Sequence, residues 1–311
     1  MSQSYAVIGS GALGGLYGAM LARAGHDVHF LLRSDYEHVR EHGWRIESHW
    51  GDFHLESVNA FSEASQLPPC DVTIVALKTV QNHRLPELLP AATSRGGVVL
   101  VLQNGLGVEA DSAQVVGEDR VLGGCCFLCS NKAGPGHIRH LDYGRIVFGP
   151  HRNSEASLAA CERIREEMVA AGIEVQMSED LNMVRWRKLM WNIPFNGLSV
   201  ALNAATDALV RDNAVDLVRG IISEVHVAAK ACGADIDAAW IEKTIETTKT
   251  MGPYDSSMRL DYLAGRRMEI ESILAAPIAA ARLAGIAMPK TEMLYQQLRF
   301  LQSRREASTE E

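Results

Sequence analysis

The chain has 311 residues, enough for two domains of ordinary size. Its apolar fraction of 47% and charged fraction of 22% belong to a globular protein with a full core, and no repeat or low-complexity tract interrupts it. A net charge of −8 argues against broad nucleic-acid binding, and no apolar run approaches the roughly 20 residues that span a bilayer. The first strand is expected to begin almost at Met1, so no signal peptide is expected. Six cysteines in a chain of this length suit a reducing compartment better than a disulfide scaffold, so a cytoplasmic location is expected.

The run Tyr5-Ala6-Val7-Ile8 reads as a strand buried on both faces. It leads into Gly9-x-Gly11-x-x-Gly14, and a helix is predicted over Ala12–Arg23, stopping at Gly25. In a dinucleotide site each glycine has a task. Gly9 permits the tight turn, Gly11 lets the backbone approach a pyrophosphate, and Gly14 lets the helix pack on the strand. The helix N-terminus points N–H groups and a positive dipole end at the phosphates. Gly9, Ser10, Gly11, Ala12, Leu13 and Gly14 are therefore the candidate cofactor turn.

Asp27–Leu32 reads as the second parallel strand, followed by Arg33-Ser34. An NAD site usually has an acid there for the ribose hydroxyls; a cation and a hydroxyl suit the 2′-phosphate of NADP(H). Trp44–Ser48 and Phe53–Ser57 flank a turn at Trp50-Gly51-Asp52 and predict a hairpin. Buried strands over Asp71–Leu77 and Val98–Leu102 bring Lys78 and Asn104 to carboxyl ends of the sheet, where ligands of open α/β sheets bind. Over 121–149 four strands are expected, Val121–Gly123, Cys125–Cys129, His137–His140 and Arg145–Gly149, with turns at Gly134-Pro135-Gly136 and Asp142-Tyr143-Gly144. The cluster Cys125-Cys126-x-x-Cys129 reads as small strand residues: neighbours in a strand face opposite ways, and no second ligand pair at zinc spacing follows, so no metal is expected. A helix near Glu155–Ala171 and a strand at Ile173–Val175 close this half.

Beyond Ser178 the strand signals stop. Ser178 is suited to cap a helix with Glu179 and Asp180 in its first turn. On that helix Lys188, Asn192 and Asn196 fall at i, i+4 and i+8, with Ser199 and Asn203 nearby, while apolar residues fill the other sides. A helix apolar nearly all round is buried, so this polar stripe is expected to face a polar cleft, with a kink at Pro194. Further helices are expected near 214–232, 238–250, 256–284 and 290–304, with a frayed tail over 306–311. On the long 256–284 helix Ser257, Asp261 and Glu269 are expected near one face.

Taken together, these motifs resemble the ketopantoate reductase family, the 2-dehydropantoate 2-reductases. The resemblance rests on the Gly9–Gly14 turn, Arg33, Leu77-Lys78, Asn104-Gly105, Trp186-Arg187-Lys188-Leu189 with Asn192 and Asn196, Ser256-Ser257-Met258 with Asp261, Gly265-Arg266, and Glu269-Ile270. It implies an α/β Rossmann-like N-terminal domain over 1–178 and an all-α C-terminal domain over 179–311, similar to that of 6-phosphogluconate dehydrogenase. The implied reaction is NADPH-dependent reduction of 2-dehydropantoate to (R)-pantoate, in pantothenate biosynthesis. It implies Lys188 as proton donor, Asn192, Asn196 and Ser257 as substrate contacts, Glu269 at the cofactor and substrate, and Arg33, Lys78 and Asn104 as cofactor contacts.

This chain departs from the family pattern at Gly197, Thr206 and Tyr254, where Pro and two asparagines are expected. Two alternatives therefore stand beside the leading reading. One is a reductase of a different 2-oxo acid on the same fold; the other is a non-catalytic NADP-binding redox sensor. No membrane or nucleic-acid partner is expected, and both a homodimer and a monomer are compatible with the sequence.

Overall fold

The computed structural model describes residues 2–211, 214–252 and 254–309. Chain contacts divide it into two compact units, Met1–Gln103 with Val108–Leu181, and Asn104–Gly107 with Asn182–Glu311. The expected boundary lay at 178/179; the contacts divide three residues later and also group the short Asn104–Gly107 segment with the second unit.

The first unit is a sheet of β1 (Ser4–Ile8), β2 (Asp27–Leu31), β3 (Trp44–Ser48), β4 (Phe53–Leu55), β5 (Asn59–Phe61), β6 (Val72–Val75), β7 (Val98–Val101), β8 (Val121–Gly134), β9 (His137–Pro150) and β10 (Val175–Met177). The strand order is β4-β3-β9-β8-β7-β6-β1-β2-β5, with β10 beside β9. From β8 to β5 all neighbours are parallel, so these strands share one carboxyl edge. Its helices are α1 (Ala12–Arg23), α2 (Tyr36–His42), α3 (Leu85–Leu88), α4 (Pro90–Thr93), α5 (Glu109–Val116) and α6 (Glu155–Ala170).

The period of two in a strand sorts apolar side chains onto two faces. Tyr5, Val7, Val72 and Ile74 pack on one side with Leu16, Tyr17 and Met20 of α1 and with Ile164 and Met168 of α6. Ala6, Ile8, Val75 and Val99 pack on the other with Leu85 and Leu88 of α3 and Ala92 of α4. Each fully buried large apolar side chain contributes about 1.5–3 kcal/mol. Ser154 caps α6 reciprocally with Ser157, at 3.0 and 3.1 Å.

Several local expectations require correction. Residues 121–150 form two long antiparallel strands, not four, and only Gly134-Pro135-Gly136 is a reversal. Asp142-Tyr143-Gly144 is an irregularity inside β9: Tyr143 and Gly144 have φ of 60° and 129°, and the pairing shifts nearby without breaking. The hairpin β3–β4 is present, but β3 runs parallel to β9 at the far edge of the sheet. The strand expected over Ile173–Val175 lies at Val175–Met177. Helix α2 and strand β5 carried no strong periodic signal, being only 7 and 3 residues long. Cys125, Cys126 and Cys129 are buried in β8.

The second unit contains α7 (Leu181–Ala201), α8 (Ala208–Arg211), α9 (Val215–Ala231), α10 (Ala239–Thr250), α11 (Ser257–Leu263), α12 (Ala276–Leu283) and α13 (Pro289–Thr309), and among the described residues it has no strand. Its core takes Trp186, Leu189, Met190, Ile193 and Phe195 from α7. From α9 it takes Val218, Ile221, Ile222 and Val225, the i, i+3, i+4, i+7 stripe of a helix facing a core.

Helix α7 starts later than expected, because Ser178 still belongs to the sheet: its N–H donates to the Phe148 carbonyl at 2.9 Å. Its hydroxyl receives the Asp180 N–H at 3.2 Å, so Glu179 and Asp180 precede the helix and no acid lies in the first turn. The helix continues through Pro194. The long helix expected over 256–284 is broken. After α11, Gly265 takes φ of 70°, Arg266 N–H bonds Asp261 O at 2.8 Å, and Gly265 N–H bonds Tyr262 O at 3.1 Å. That bond pair is a Schellman C-cap, for which glycine is the favoured residue. A π-helical turn over Glu271–Ala275 then leads into α12. Ser257, Asp261 and Glu269 therefore do not share one helix face. At the C-terminus α13 extends to Thr309 where fraying was expected; residues 310 and 311 lie outside the described residues. No helix among the described residues is long and apolar enough to cross a membrane.

Candidate active site

The candidate groups of the first unit are largely made of backbone. At the end of β1, Gly9 adopts φ of 98°, and a side chain there would come within 2.1 Å of the Leu77 backbone nitrogen. Only glycine fits that turn. Gly11 N–H bonds the Gly9 carbonyl at 2.8 Å, and a Cβ on Gly11 would meet nothing within 4 Å. A Cβ on Gly14 would lie 2.4 Å from the Gly9 carbonyl oxygen, so its absence lets α1 close on the strand. Ser10 turns inward, its hydroxyl donating to the Leu31 carbonyl at 3.0 Å and tying the turn to the end of β2. Gly11 supplies no side-chain cap to α1, whose first residues include Ala12 and Leu13. The arrangement is an uncapped helix N-terminus beside an open backbone, the geometry that accepts a phosphate anion.

Arg33 is exposed beyond β2, while the Ser34 hydroxyl is turned to Asp35 at 3.1 Å. Lys78 is half-buried at the start of a 3₁₀ turn that follows β6. Gln103, to which the sequence reading gave no role, is buried at the end of β7 and donates to Leu77 O at 2.9 Å and to Asn82 Oδ1 at 2.7 Å. It stitches the carboxyl ends of β6 and β7 together, in the segment that carries Lys78.

The candidate groups of the second unit are side chains. Lys188, Asn192 and Asn196 recur every four residues along α7, so they occupy one helical stripe. Lys188 is half-buried, with its ammonium 5.6 Å from the centre of the Trp191 ring, which itself stacks on Phe195. Asn192 is buried and its Nδ2 donates to Asn104 Oδ1 at 3.3 Å. Asn104 is thus drawn to the helical stripe, and Leu106 N–H fixes its segment to the Ser272 carbonyl at 3.0 Å. A side chain on Gly105 would come within 2.5 Å of Ser272, which explains the glycine beside Asn104.

Asn196 is 2% exposed and its Oδ1 has no hydrogen-bond partner among the described residues. A buried amide oxygen without a donor costs about 1–3 kcal/mol, a cost that a hydroxylated ligand would relieve. Ser199, expected near the stripe, and Ser256, one of the residues that carry the family resemblance, are fully buried and bond each other at 2.7 Å. The Ser199 hydroxyl donates to the Asn196 carbonyl at 3.0 Å, and Ser256 Oγ accepts the Arg259 N–H at 3.2 Å as the N-cap of α11. One chain of hydrogen bonds therefore ties the main-chain carbonyl of Asn196 to the helix start that carries Ser257. The Ser256-Ser257 pair before a helix was the available signal, since serine is a favoured N-cap. Glu269 is 4% exposed, just past the loop that ends α11, and the Ser272 hydroxyl donates to its carbonyl at 3.4 Å. Asn203, expected beside the stripe, lies past the end of α7 and accepts from Arg259 Nη2 at 3.1 Å. Thr206 donates through both its N–H and its hydroxyl to the Tyr254 carbonyl, at 3.1 and 3.0 Å, so the two departures from the family pattern are bonded to each other.

The chain matches the model of the ketopantoate reductase PanE/ApbA family over residues 5–153 and that of the family's C-terminal domain over residues 180–302. It is 47% identical over 306 residues to a 2-dehydropantoate 2-reductase of Nostoc sp., covering 97% of this chain and 96% of that one. The crystal structure of 2-dehydropantoate 2-reductase from Geobacter metallireducens superposes with a TM-score of 0.92 at 40% identity, over 95% of this chain and 99% of that one. A D-mandelate dehydrogenase solved with NADH and anilino(oxo)acetate shares the fold, with a TM-score of 0.88 at 20% identity over 97% of this chain and 99% of that one. With a Rossmann-like first unit and a helical second one, this chain is an oxidoreductase, and it belongs to the ketopantoate reductase PanE/ApbA family.

Proposed function

We propose that this chain reduces 2-dehydropantoate to (R)-pantoate with NADPH, as a step of pantothenate biosynthesis in the cytoplasm. The observation that carries the reading is the stripe of Lys188, Asn192 and Asn196 on an otherwise buried helix, in a chain 47% identical to a reductase of that substrate. The residues of the first unit fit a phosphorylated dinucleotide: the Gly9–Gly14 turn presents open backbone at Gly11 and an uncapped helix start, and Arg33 is an exposed cation beyond β2. Gly9 to Gly14 would hold the pyrophosphate, Arg33 the 2′-phosphate, and Lys78 and Asn104 the remainder.

The chemistry that NADPH supplies when bound is a hydride for the ketone carbon. As negative charge grows on the ketone oxygen, the Lys188 ammonium stabilises it and delivers the proton that makes the alcohol. Asn192 is oriented by the bond from its Nδ2 to Asn104 Oδ1, so this amide is positioned before substrate arrives, while the Ser199 hydroxyl holds the main-chain carbonyl of Asn196. The Asn196 Oδ1 acceptor suits a substrate hydroxyl, and the Ser257 hydroxyl suits the carboxylate. Glu269 supplies a carboxylate to the cofactor and substrate.

A specific observation favours a second reading, reduction of a different 2-oxo acid. Thr206 and Tyr254 are bonded to each other where the family pattern has two substrate asparagines, which changes the polar groups available to a substrate tail. The test is NADPH oxidation by the purified chain with 2-dehydropantoate, with NADH and a panel of other 2-oxo acids alongside. Rapid turnover with NADPH and 2-dehydropantoate supports the first reading. Turnover only with another 2-oxo acid supports the second, and NADPH binding without any turnover overturns both.

A further inference from the structure

Arg33 is not the only charged residue after β2. Two residues on, Asp35 places a carboxylate in the same short segment. A carboxylate there would repel a phosphate and compete for the arginine that is to hold it. Asp35 is instead turned inward and is 4% exposed, with both its oxygens engaged. Oδ1 accepts from Lys132 Nζ at 2.5 Å and from the Ser34 hydroxyl at 3.1 Å, and Oδ2 accepts the Gly136 N–H at 3.1 Å. Lys132 lies near the end of β8 and Gly136 in the turn to β9, so the tip of this hairpin clasps the segment that carries Arg33. The pair is asymmetric: the Asp35 side chain is 5% exposed and that of Lys132 is 36% exposed. The negative charge is shielded from water while the cation that cancels it is still reached by solvent.

We propose that Lys132, through its ion pair with Asp35, determines the choice of the phosphorylated dinucleotide: it neutralises the carboxylate beside Arg33 and leaves the segment after β2 with a net positive charge. This rests on the reading of Arg33 as the 2′-phosphate contact. Arg33 and Asp35 alone sum to zero, and Lys132 restores one positive charge. Lys132 acts through Asp35, so it is a positioning residue rather than a ligand.

The test titrates the full chain with NADPH and with NADH, for Lys132→Met, Asp35→Asn, the double variant and Arg33→Ala. Methionine keeps the unbranched apolar stem and removes the charge. Lys132→Met should weaken NADPH about tenfold, or ~1.4 kcal/mol, with NADH changed by less than about twofold. The double variant, which removes both charges, should recover NADPH selectivity to within about threefold, because the two side chains act as one unit. NADPH affinity should also lose part of its salt dependence in Lys132→Met. Equal weakening of both dinucleotides, or no recovery in a folded double variant, would reduce Lys132 to a structural tie and overturn the proposal. If Lys132→Met does not fold, Asp35→Asn decides. It keeps the cation and the shape, so NADPH selectivity must be maintained or raised, and a fall overturns the proposal. Arg33→Ala separates the two levels. If it leaves selectivity intact, the Arg33 reading fails; if it lowers selectivity and Lys132→Met does not, only the present inference fails.

Discussion

The two units build their candidate groups from different materials. In the first, the candidate groups are largely backbone: a positive-φ glycine, an open glycine and an uncapped helix start, all at the carboxyl edge of a parallel sheet. In the second they are side chains at four-residue intervals on a buried helix, with the Asn192 amide held by Asn104 and the main chain at Asn196 held by Ser199, which bonds Ser256. A backbone site depends on a conformation that a few residues dictate locally, so it fails all at once when the turn is changed. A side-chain site depends on many tertiary bonds, and its members can be removed one by one with separable effects.

That contrast is sharpest at Gly9. A Cβ there would sit 2.1 Å from one backbone atom and 2.5 Å from another, at φ of 98°. The strain alone costs about 1–3 kcal/mol, and the backbone clash adds to it. Gly9→Ala should therefore lower the melting temperature by about 6 °C or more and abolish dinucleotide binding together with it. A variant with native melting behaviour and normal NADPH affinity would show that the turn is not built as described.

Lys188→Ala tests the helical unit and should leave folding and NADPH affinity in place. Turnover should fall by about 10²–10⁴, the range of a general acid. Near-normal turnover would remove Lys188 from the mechanism. Arg33→Ala should act on selectivity alone: losing a charged hydrogen bond worth about 1.5–3 kcal/mol lowers NADPH preference over NADH roughly ten- to hundredfold. Equal losses for both dinucleotides would sink that assignment.

Asn196→Ala separates stability from function within the helical unit. Its Oδ1 has no hydrogen bond to lose, so the effect on melting should be small for so deeply buried a residue. One substrate hydrogen bond is lost instead, and kcat/KM should fall by about tenfold. A large loss of stability with normal kcat/KM would make Asn196 a structural residue.

The smallest expected effect lies in the first unit, away from the glycine turn. His140 is buried, with Nδ1 bonded to Ser48 Oγ at 2.9 Å and Nε2 donating to the carbonyls of Tyr143 and Asp142 at 2.9 and 3.2 Å. Its ring lies 4.5 Å from those of His49 and Trp50. Burial first, and His49 second, hold its pKa below the ordinary imidazole value. The native state then stays neutral where the unfolded chain takes up a proton. Its contribution to stability is complete above pH ~6.5 and is lost as pH falls from there through the lower folded value. His140→Gln should flatten the acid side of the melting-temperature profile, and an unchanged profile would show that this histidine is not the linked group.

The sequence determined what depends on short-range physics. The glycine turn, the buried strands β1, β6 and β7, and the four-residue spacing on α7 were legible because each follows from local conformation or from a repeating apolar pattern. Helix α2 and strand β5 escaped notice because they are too short to show a period. The late start of α7 escaped because Ser178 is held by a carbonyl of a distant strand, and no local residue records that bond. The break at Gly265 was available in the residue itself, yet apolar periodicity on both sides outweighed it.

Only the tertiary structure decided which polar groups have partners. That Asn192 reaches Asn104, that Ser199 reaches Ser256, that Thr206 holds the Tyr254 carbonyl, and that Lys132 neutralises Asp35 are pairings between residues 48 to 97 positions apart along the chain. Hydrogen bonds and ion pairs depend on distances of a few ångströms, and those distances are set by packing rather than by sequence spacing.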